Sequence, residues 1–141
     1  MILYLETSSL VKLYVEEEGY KAVKRLLQEA DSIVTSALSY VEAKSAFSRK
    51  KREGGISKRD HRKVMELFNV EWDGYFHVEV SKDICIEAGA LAESYPLKAY
   101  DAVHLASYMY VKKRIDAEIK FSSFDNALNR TVHTLMSHKK T

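Results

Sequence analysis

Four acidic residues, Glu6, Glu42, Asp101 and Asp125, sit where hydrophobic strands stop or helices begin, although they are spread over almost the whole chain. In an open α/β sheet the loops after the carboxyl ends of the strands meet in a crevice at the topological switch point, so acids remote in sequence converge there. Converged carboxylates ionise together only at a cost that a cation removes. The set therefore predicts an all-oxygen pocket for a hard divalent cation, and with it metal-dependent hydrolysis of a phosphodiester.

Each residue also has a purely structural reading. Glu6 directly follows an apolar run and would project into the crevice, or it is a helix N-terminal acid favoured by the macrodipole. Ser8, two residues on, either orients Glu6 or a metal-bound water, or only caps a helix. Glu42 lies beside the stripe of Tyr40, Ala43, Ala46 and Phe47; alone it reads as a boundary glutamate paired with a lysine such as Lys44 or with a neighbour across the fold. Asp101 is set among core-type residues at the start of a largely apolar helix, where a cap is the alternative, and Asp125 is a natural N-cap. Only the set of four is persuasive. His104, one helical turn from Asp101, reads as a packed or hydrogen-bonded core histidine and is assigned no metal. His61, His77, His133 and His138 show no metal-ligand spacing and are expected at the surface or an edge.

The elements that must position these acids alternate between strand and helix. Residues 2–5 read as a buried first strand, followed by helices over about 8–15 and from Gly19, the latter with Ala22, Val23, Leu26 and Leu27 at helical spacing. Ile33-Val34 predicts a second strand, and Thr35-Ser36 can cap a long helix over about 37–52, ended by Gly54-Gly55. Ser57 caps the next helix, so the two form a hairpin. Residues 76–80 alternate as a partly exposed strand does. A helix then runs to about Ser94, stopped at Tyr95-Pro96, and a buried helix spans 99–113. A fourth strand contains Ile119 and Phe121 and ends at Ser122-Ser123, and a last helix covers about 125–135 before a basic tail over 138–141 that is expected to fray. This alternation predicts a parallel sheet covered on both faces, with right-handed crossovers.

The bulk properties fit one domain over residues 1–141: the length suits a single core, and 46% hydrophobic with 30% charged residues is a globular composition. Cys85 is the one cysteine, which excludes an intramolecular disulfide and a cysteine zinc cluster and suggests a reducing, cytoplasmic setting. The run at 2–5 is too short, and flanked by an acid, to be a signal peptide or membrane span. The formal charge of +2 hides an asymmetry: residues 49–63 carry eight Lys/Arg against two acids, while the remainder carries fourteen against eighteen. A basic arm on an acidic body can steer a polyanion towards a pocket that would otherwise repel it. The five glycines form no GxGxxG or P-loop, which disfavours a dinucleotide-binding enzyme.

At these residues the chain resembles the PIN-domain ribonucleases, particularly the VapC-type toxins of toxin–antitoxin pairs, over essentially all of residues 1–130. Ile-Leu-Tyr-Leu-Glu6-Thr-Ser8-Ser-Leu is similar to that family's opening strand and acid, Thr35-Ser-Ala-Leu-Ser-Tyr-Val-Glu42-Ala to its second motif, Tyr100-Asp101-Ala-Val-His104-Leu-Ala to its third, and Phe121-Ser-Ser123-Phe-Asp125-Asn-Ala-Leu to its fourth. The family usually has Asp where this chain has Glu6, whose extra methylene must fold back or shift a metal. It often has a glycine turn and a fifth strand after the fourth motif, of which residues 131–141 offer no clear version.

The resemblance implies a three-layer α/β/α, Rossmannoid PIN-like domain with four or five parallel strands. It implies a hydrolase in which Glu6, Glu42, Asp101 and Asp125 hold one or two Mg²⁺ or Mn²⁺ ions that activate water for RNA cleavage, leaving a 5′-phosphate and a 3′-hydroxyl. Ser8 and Ser123 would position ligands or phosphate, and Lys12, Lys44 and the basic hairpin turn would engage the RNA backbone. Its implied partners are RNA, a cognate antitoxin whose basic side chain reaches the acidic pocket, and a second copy in a homodimer, with no membrane. The alternative is a degenerate PIN-like module that binds RNA or protein, its catalysis weakened by Glu6.

Overall fold

The apolar run at the start of the chain lacks polar alternation because it is covered on both sides. Leu3, Tyr4 and Leu5 of strand β1 (Ile2–Leu5) are fully buried, as expected of a central strand in a parallel sheet. The structure is a computed structural model and describes residues 1–138. β2 (Ser32–Ser36), β3 (Phe76–Val78) and β4 (Ile119–Ser122) join β1 in the order β3-β2-β1-β4, every pair parallel. The chain moves outward on one side of β1 and then returns to its other side, so a crevice opens between the carboxyl ends of β1 and β4.

Among the described residues, seven helices form the outer layers. α1 (Thr7–Lys12), α2 (Tyr20–Glu29), α3 (Leu38–Arg52) and α4 (Lys58–Trp72) cover the face carrying Leu3 and Leu5, where Val23, Phe47 and Phe68 are fully buried. α5 (Lys82–Ser94), α6 (Ala99–Arg114) and α7 (Asn126–His138) cover the opposite face, with Tyr4 packed among Leu105, Tyr108 and Leu128. The period-two alternation of strand side chains thus assigns one set of β1 residues to each core. α6 is buried on most of its circumference, from Asp101 to Val111.

The observed elements differ from the sequence expectations mainly at their ends. α1 stops at Lys12 rather than near residue 15, although Val15 remains buried in the core. β2 is longer than Ile33-Val34 because Thr35 stays in the sheet, where its hydroxyl donates to the Leu5 carbonyl at 2.6 Å. Of the expected cap pair only Ser36 serves α3, accepting from the Leu38 N–H. β3 stops at Val78, short of residue 80, and Ser81 caps α5. The sheet has four strands among the described residues, and the stretch where a fifth was an open alternative is helical as far as His138. Residues 139–141 of the expected basic tail lie outside the described residues. Among the described residues no helix is long and apolar enough to cross a membrane.

Phe47 anchors α3 through an edge-to-face cluster with Phe68 and Tyr14, at centroid distances of 5.5 and 5.8 Å. Phe47→Ala is expected to lower the unfolding free energy by about 3–5 kcal/mol, read from urea denaturation, whereas Phe76→Ala, at a position 65% exposed, should change it by about 0.5 kcal/mol or less.

Candidate active site

A solvent-open cavity of about 720 Å³ lies at the carboxyl end of the sheet, lined by Glu6, Glu42, Asp101 and Asp125 together with Ser8 and a rim that includes Lys12, Arg49 and Lys50. Four elements bring the acids there. Glu6 ends β1 and caps α1, Glu42 projects from α3, Asp101 is in the first turn of α6, and Asp125 follows β4. A second cavity of about 560 Å³ opens at the β2–β3 edge, mainly against apolar residues such as Val34, Val78 and Val111. None of the four acids lines it.

Glu6 is only 6% exposed, and its charge is held by donors from two loops. The Ser8 backbone N–H donates to Oε2 at 3.1 Å, the Ser123 hydroxyl donates to Oε1 at 2.7 Å, and the Ser8 hydroxyl also donates to Oε1. The longer side chain thus folds back onto the start of α1. Ser123 in turn accepts from the Asp125 N–H, and Ser8 accepts from the Phe124 N–H at 2.8 Å, so the two serines tie the loop after β4 to the first turn of α1. Ser8 therefore acts on both Glu6 and the neighbouring loop.

Glu42 is held differently, and not by Lys44, whose ammonium lies over the Tyr40 ring. The Glu42 Oε1 atom accepts from Thr7 Oγ1 at 2.8 Å and from His104 Nε2 at 2.7 Å. His104 is fully buried, and its Nδ1 lies 3.0 Å from the Tyr4 hydroxyl. A carboxylate only accepts, so Nε2 carries the ring proton and Nδ1 accepts from Tyr4. Burial raises the Tyr4 pKa well above its ordinary value, which keeps the phenol a donor. The sequence pointed to a packed, hydrogen-bonded His104 but did not identify Glu42 as its partner. Nor did it pick out Thr7, although Thr7 follows Glu6 directly.

Asp101 is not the cap of α6, a place taken by Lys98, but a first-turn carboxyl only 4% exposed. Burial first, and then the nearby charges of Asp125 and Glu6, push its pKa up to about 6. Asp125 caps α7, its Oδ1 accepting from the Leu128 N–H at 2.9 Å, so its structural reading and its place in the cavity coexist. The oxygens that could hold a hard cation are those of these four carboxylates. Among the described residues, no three His, Cys, Asp or Glu side chains are placed closely enough to hold a metal ion together.

His61 is hydrogen-bonded to Ser48, and His77 stacks on Trp72 at 4.1 Å while meeting the Trp72 carbonyl, both away from this cavity.

The family model of the PIN domain matches residues 3–133. The chain belongs to the PIN domain family. Over 132 residues, 94% of this chain and 90% of the relative, it is 26% identical to Ribonuclease VapC45 of Mycobacterium tuberculosis strain CDC 1551 / Oshkosh, and equally to Ribonuclease VapC49 of strain ATCC 25618 / H37Rv. Its fold is similar to that of the Mycobacterium tuberculosis VapC20 crystal structure, a sarcin-ricin loop cleaving toxin, with a TM-score of 0.62 and 16% identity over 92% of this chain and 94% of that one. It is also similar in fold to a chain of VapBC2 from Rickettsia felis bound to a promoter DNA fragment, with a TM-score of 0.55 and 16% identity over 87% of this chain and all of that one. The three-layer architecture with its four-stranded parallel sheet is thus that of the PIN domain.

The raised Asp101 pKa has a testable sign. Between the usual carboxylate value of about 3.9 and about 6, the folded protein binds this proton more readily than the unfolded chain. Stability from this group is therefore present at low pH and is lost as the pH rises through about 6. In EDTA, Asp101→Asn is expected to melt above the wild type at neutral pH, with the difference shrinking as the pH falls below 6. Melting curves whose difference is independent of pH would rule out the repulsion inferred among Asp101, Asp125 and Glu6.

Proposed function

We propose that this PIN domain is a metal-dependent endoribonuclease, the toxin of a VapBC-type pair, in which Glu6, Glu42, Asp101 and Asp125 hold Mg²⁺ or Mn²⁺. The reading rests on one observation: carboxylates from four separate elements line a single cavity, and one of them is driven up to about 6 by burial and by two of the others. That is the electrostatic state a divalent cation relieves, and an all-oxygen set suits a hard ion that keeps part of its water shell. The curated relatives carry the name ribonuclease and match along nearly the whole chain.

When bound, the ion supplies an activated water and neutralises charge on the leaving oxygen. The protein's own groups supply position. Ser8 and Ser123 fix the Glu6 carboxylate, while Thr7 and His104 fix that of Glu42, with Tyr4 setting the histidine tautomer. Lys12, Arg49 and Lys50 at the rim offset the repulsion between an acidic pocket and a polyanion. The same reading takes residues 1–141 as one PIN-like unit acting in the cytoplasm. It pairs with a second copy and with an antitoxin that places a basic side chain against the carboxylates.

The deciding experiment incubates structured and single-stranded RNA with the purified chain and Mn²⁺ or Mg²⁺, beside Asp101→Asn. Even the partners of metal ligands are worth about 10–100-fold in activity, so the variant is expected to lose at least about 100-fold, and EDTA to stop the wild type. Equal, metal-independent cleavage by both proteins would reject the proposal. The three hydrogen bonds that hold Glu6 back favour one rival, a degenerate module that binds RNA or protein. Retained RNA affinity without cleavage, with some activity recovered by Glu6→Asp, would select that rival.

A further inference from the structure

At the mouth of the acidic cavity the chain assembles groups that the carboxylates do not need. Phe124, one residue before Asp125, is 41% exposed at the cavity wall. The ring is nevertheless contacted by its neighbours. Its backbone N–H donates to Ser8, and the Lys12 ammonium sits 4.4 Å from its centroid. Gly19 makes the room: a Cβ there would lie 2.5 and 2.7 Å from two ring carbons, and its φ of +92° also favours glycine.

Beside the ring, two cations converge on one anion. The Glu17 carboxylate is bridged by Lys12, at 3.1 Å, and by Lys50, and all three line the same cavity. Burial works against its ionisation, yet the Lys50 and Lys12 ammonium groups hold the Glu17 carboxyl below its usual range. Lys12 faces both the ring and the carboxylate, so the anion position lies next to the aromatic surface. An aromatic face beside a two-cation anion clamp has the chemistry of a nucleotide, with a base to stack and a phosphate to neutralise.

We propose that Phe124, Lys12 and Lys50 form a nucleotide subsite at the cavity mouth, taking an unpaired base on the ring and its phosphate between the two ammonium groups, where Glu17 now serves as an internal stand-in. This deepens the ribonuclease reading and rests on it, because it defines the substrate as RNA whose bases are splayed from a helix. A base within a duplex has no free face to offer the ring. Glu17 must leave the clamp as the phosphate enters, so it lowers the affinity for any weaker anion.

The test is fluorescence anisotropy in EDTA at low salt, with a short labelled single-stranded RNA and the same strand in a duplex. Phe124→Leu keeps apolar bulk but lacks a stacking face, and is expected to bind the single strand about 10-fold more weakly with little change for the duplex. Phe124→Tyr should restore wild-type affinity. Glu17→Gln frees both ammonium groups and should tighten binding and steepen its salt dependence, and adding Lys12→Met should reduce that slope by about one. Thermal melts of each variant establish that it is folded.

The subsite is overturned if the wild type fails to bind the single strand, if folded Phe124→Leu binds it as the wild type does, or if Glu17→Gln changes neither affinity nor slope. The expected binding pattern from a wild type that never cleaves with Mn²⁺ or Mg²⁺ would reject the ribonuclease reading while supporting the subsite. Metal-dependent cleavage with affinity and KM unchanged in Phe124→Leu would do the reverse.

Discussion

Like charges do not gather unless something compels them, and here the sheet topology does. β1 and β4 are hydrogen-bonded neighbours although more than a hundred residues separate them, with Leu5 in register with Ser122. Their carboxyl ends therefore deliver Glu6 and the Ser123–Asp125 loop to the same crevice, and the starts of α3 and α6 frame it. The resulting repulsion is partly absorbed by hydrogen bonds to Glu6, Glu42 and Asp125, from hydroxyl, imidazole and backbone donors. At Asp101 burial first, and then the charges of Asp125 and Glu6, appear as a raised pKa. On the proposed reading, the free energy spent in bringing these charges together would be recovered on binding a cation.

His104 is the joint between that site and the interior. It belongs to α6 but meets β1 through Tyr4, α1 through Thr7 and α3 through Glu42. One imidazole thereby connects the helical layers on the two faces of the sheet, and no buried side-chain polar atom among the described residues lacks a partner. Such a fully satisfied network confines Glu42 to one rotamer despite its long side chain. Tyr4 extends the network into the apolar core, where its ring stacks on Phe121 and meets Tyr108 edge to face. The aim of Glu42 thus depends on core packing as well as on local contacts.

How much of this was legible in the sequence follows from the range of each interaction. The layer order and the convergence of four acids could be read because each depends on local signals, an apolar run ending in an acid or a polar pair ahead of a helix. For Glu6 the extra methylene left two outcomes open, a fold-back or a shifted metal, and the hydrogen bonds from Ser8 and Ser123 accompany the first. Partners were harder. Glu42 reads locally as a mate for Lys44 or for a neighbour across the fold, and which neighbour it is, His104 sixty-two residues away, is decided by the sheet topology that brings the starts of α3 and α6 to one end of the sheet. Element ends slipped for a similar reason: Thr35 has the composition of a cap, yet its hydroxyl is captured by the Leu5 carbonyl of the adjacent strand.

The charge asymmetry read from composition acquires its meaning only in three dimensions. The basic cluster runs from the end of α3 to the start of α4, and its first members, Arg49 and Lys50, reach the rim of the acidic cavity. Basic and acidic side chains thus line one cavity, and on the proposed reading the basic ones offset the repulsion that the acids alone would exert on a polyanion. Lys12 and Lys50 are bridged by Glu17 rather than by any of the four acids, so the two signs stay separate although they line the same cavity.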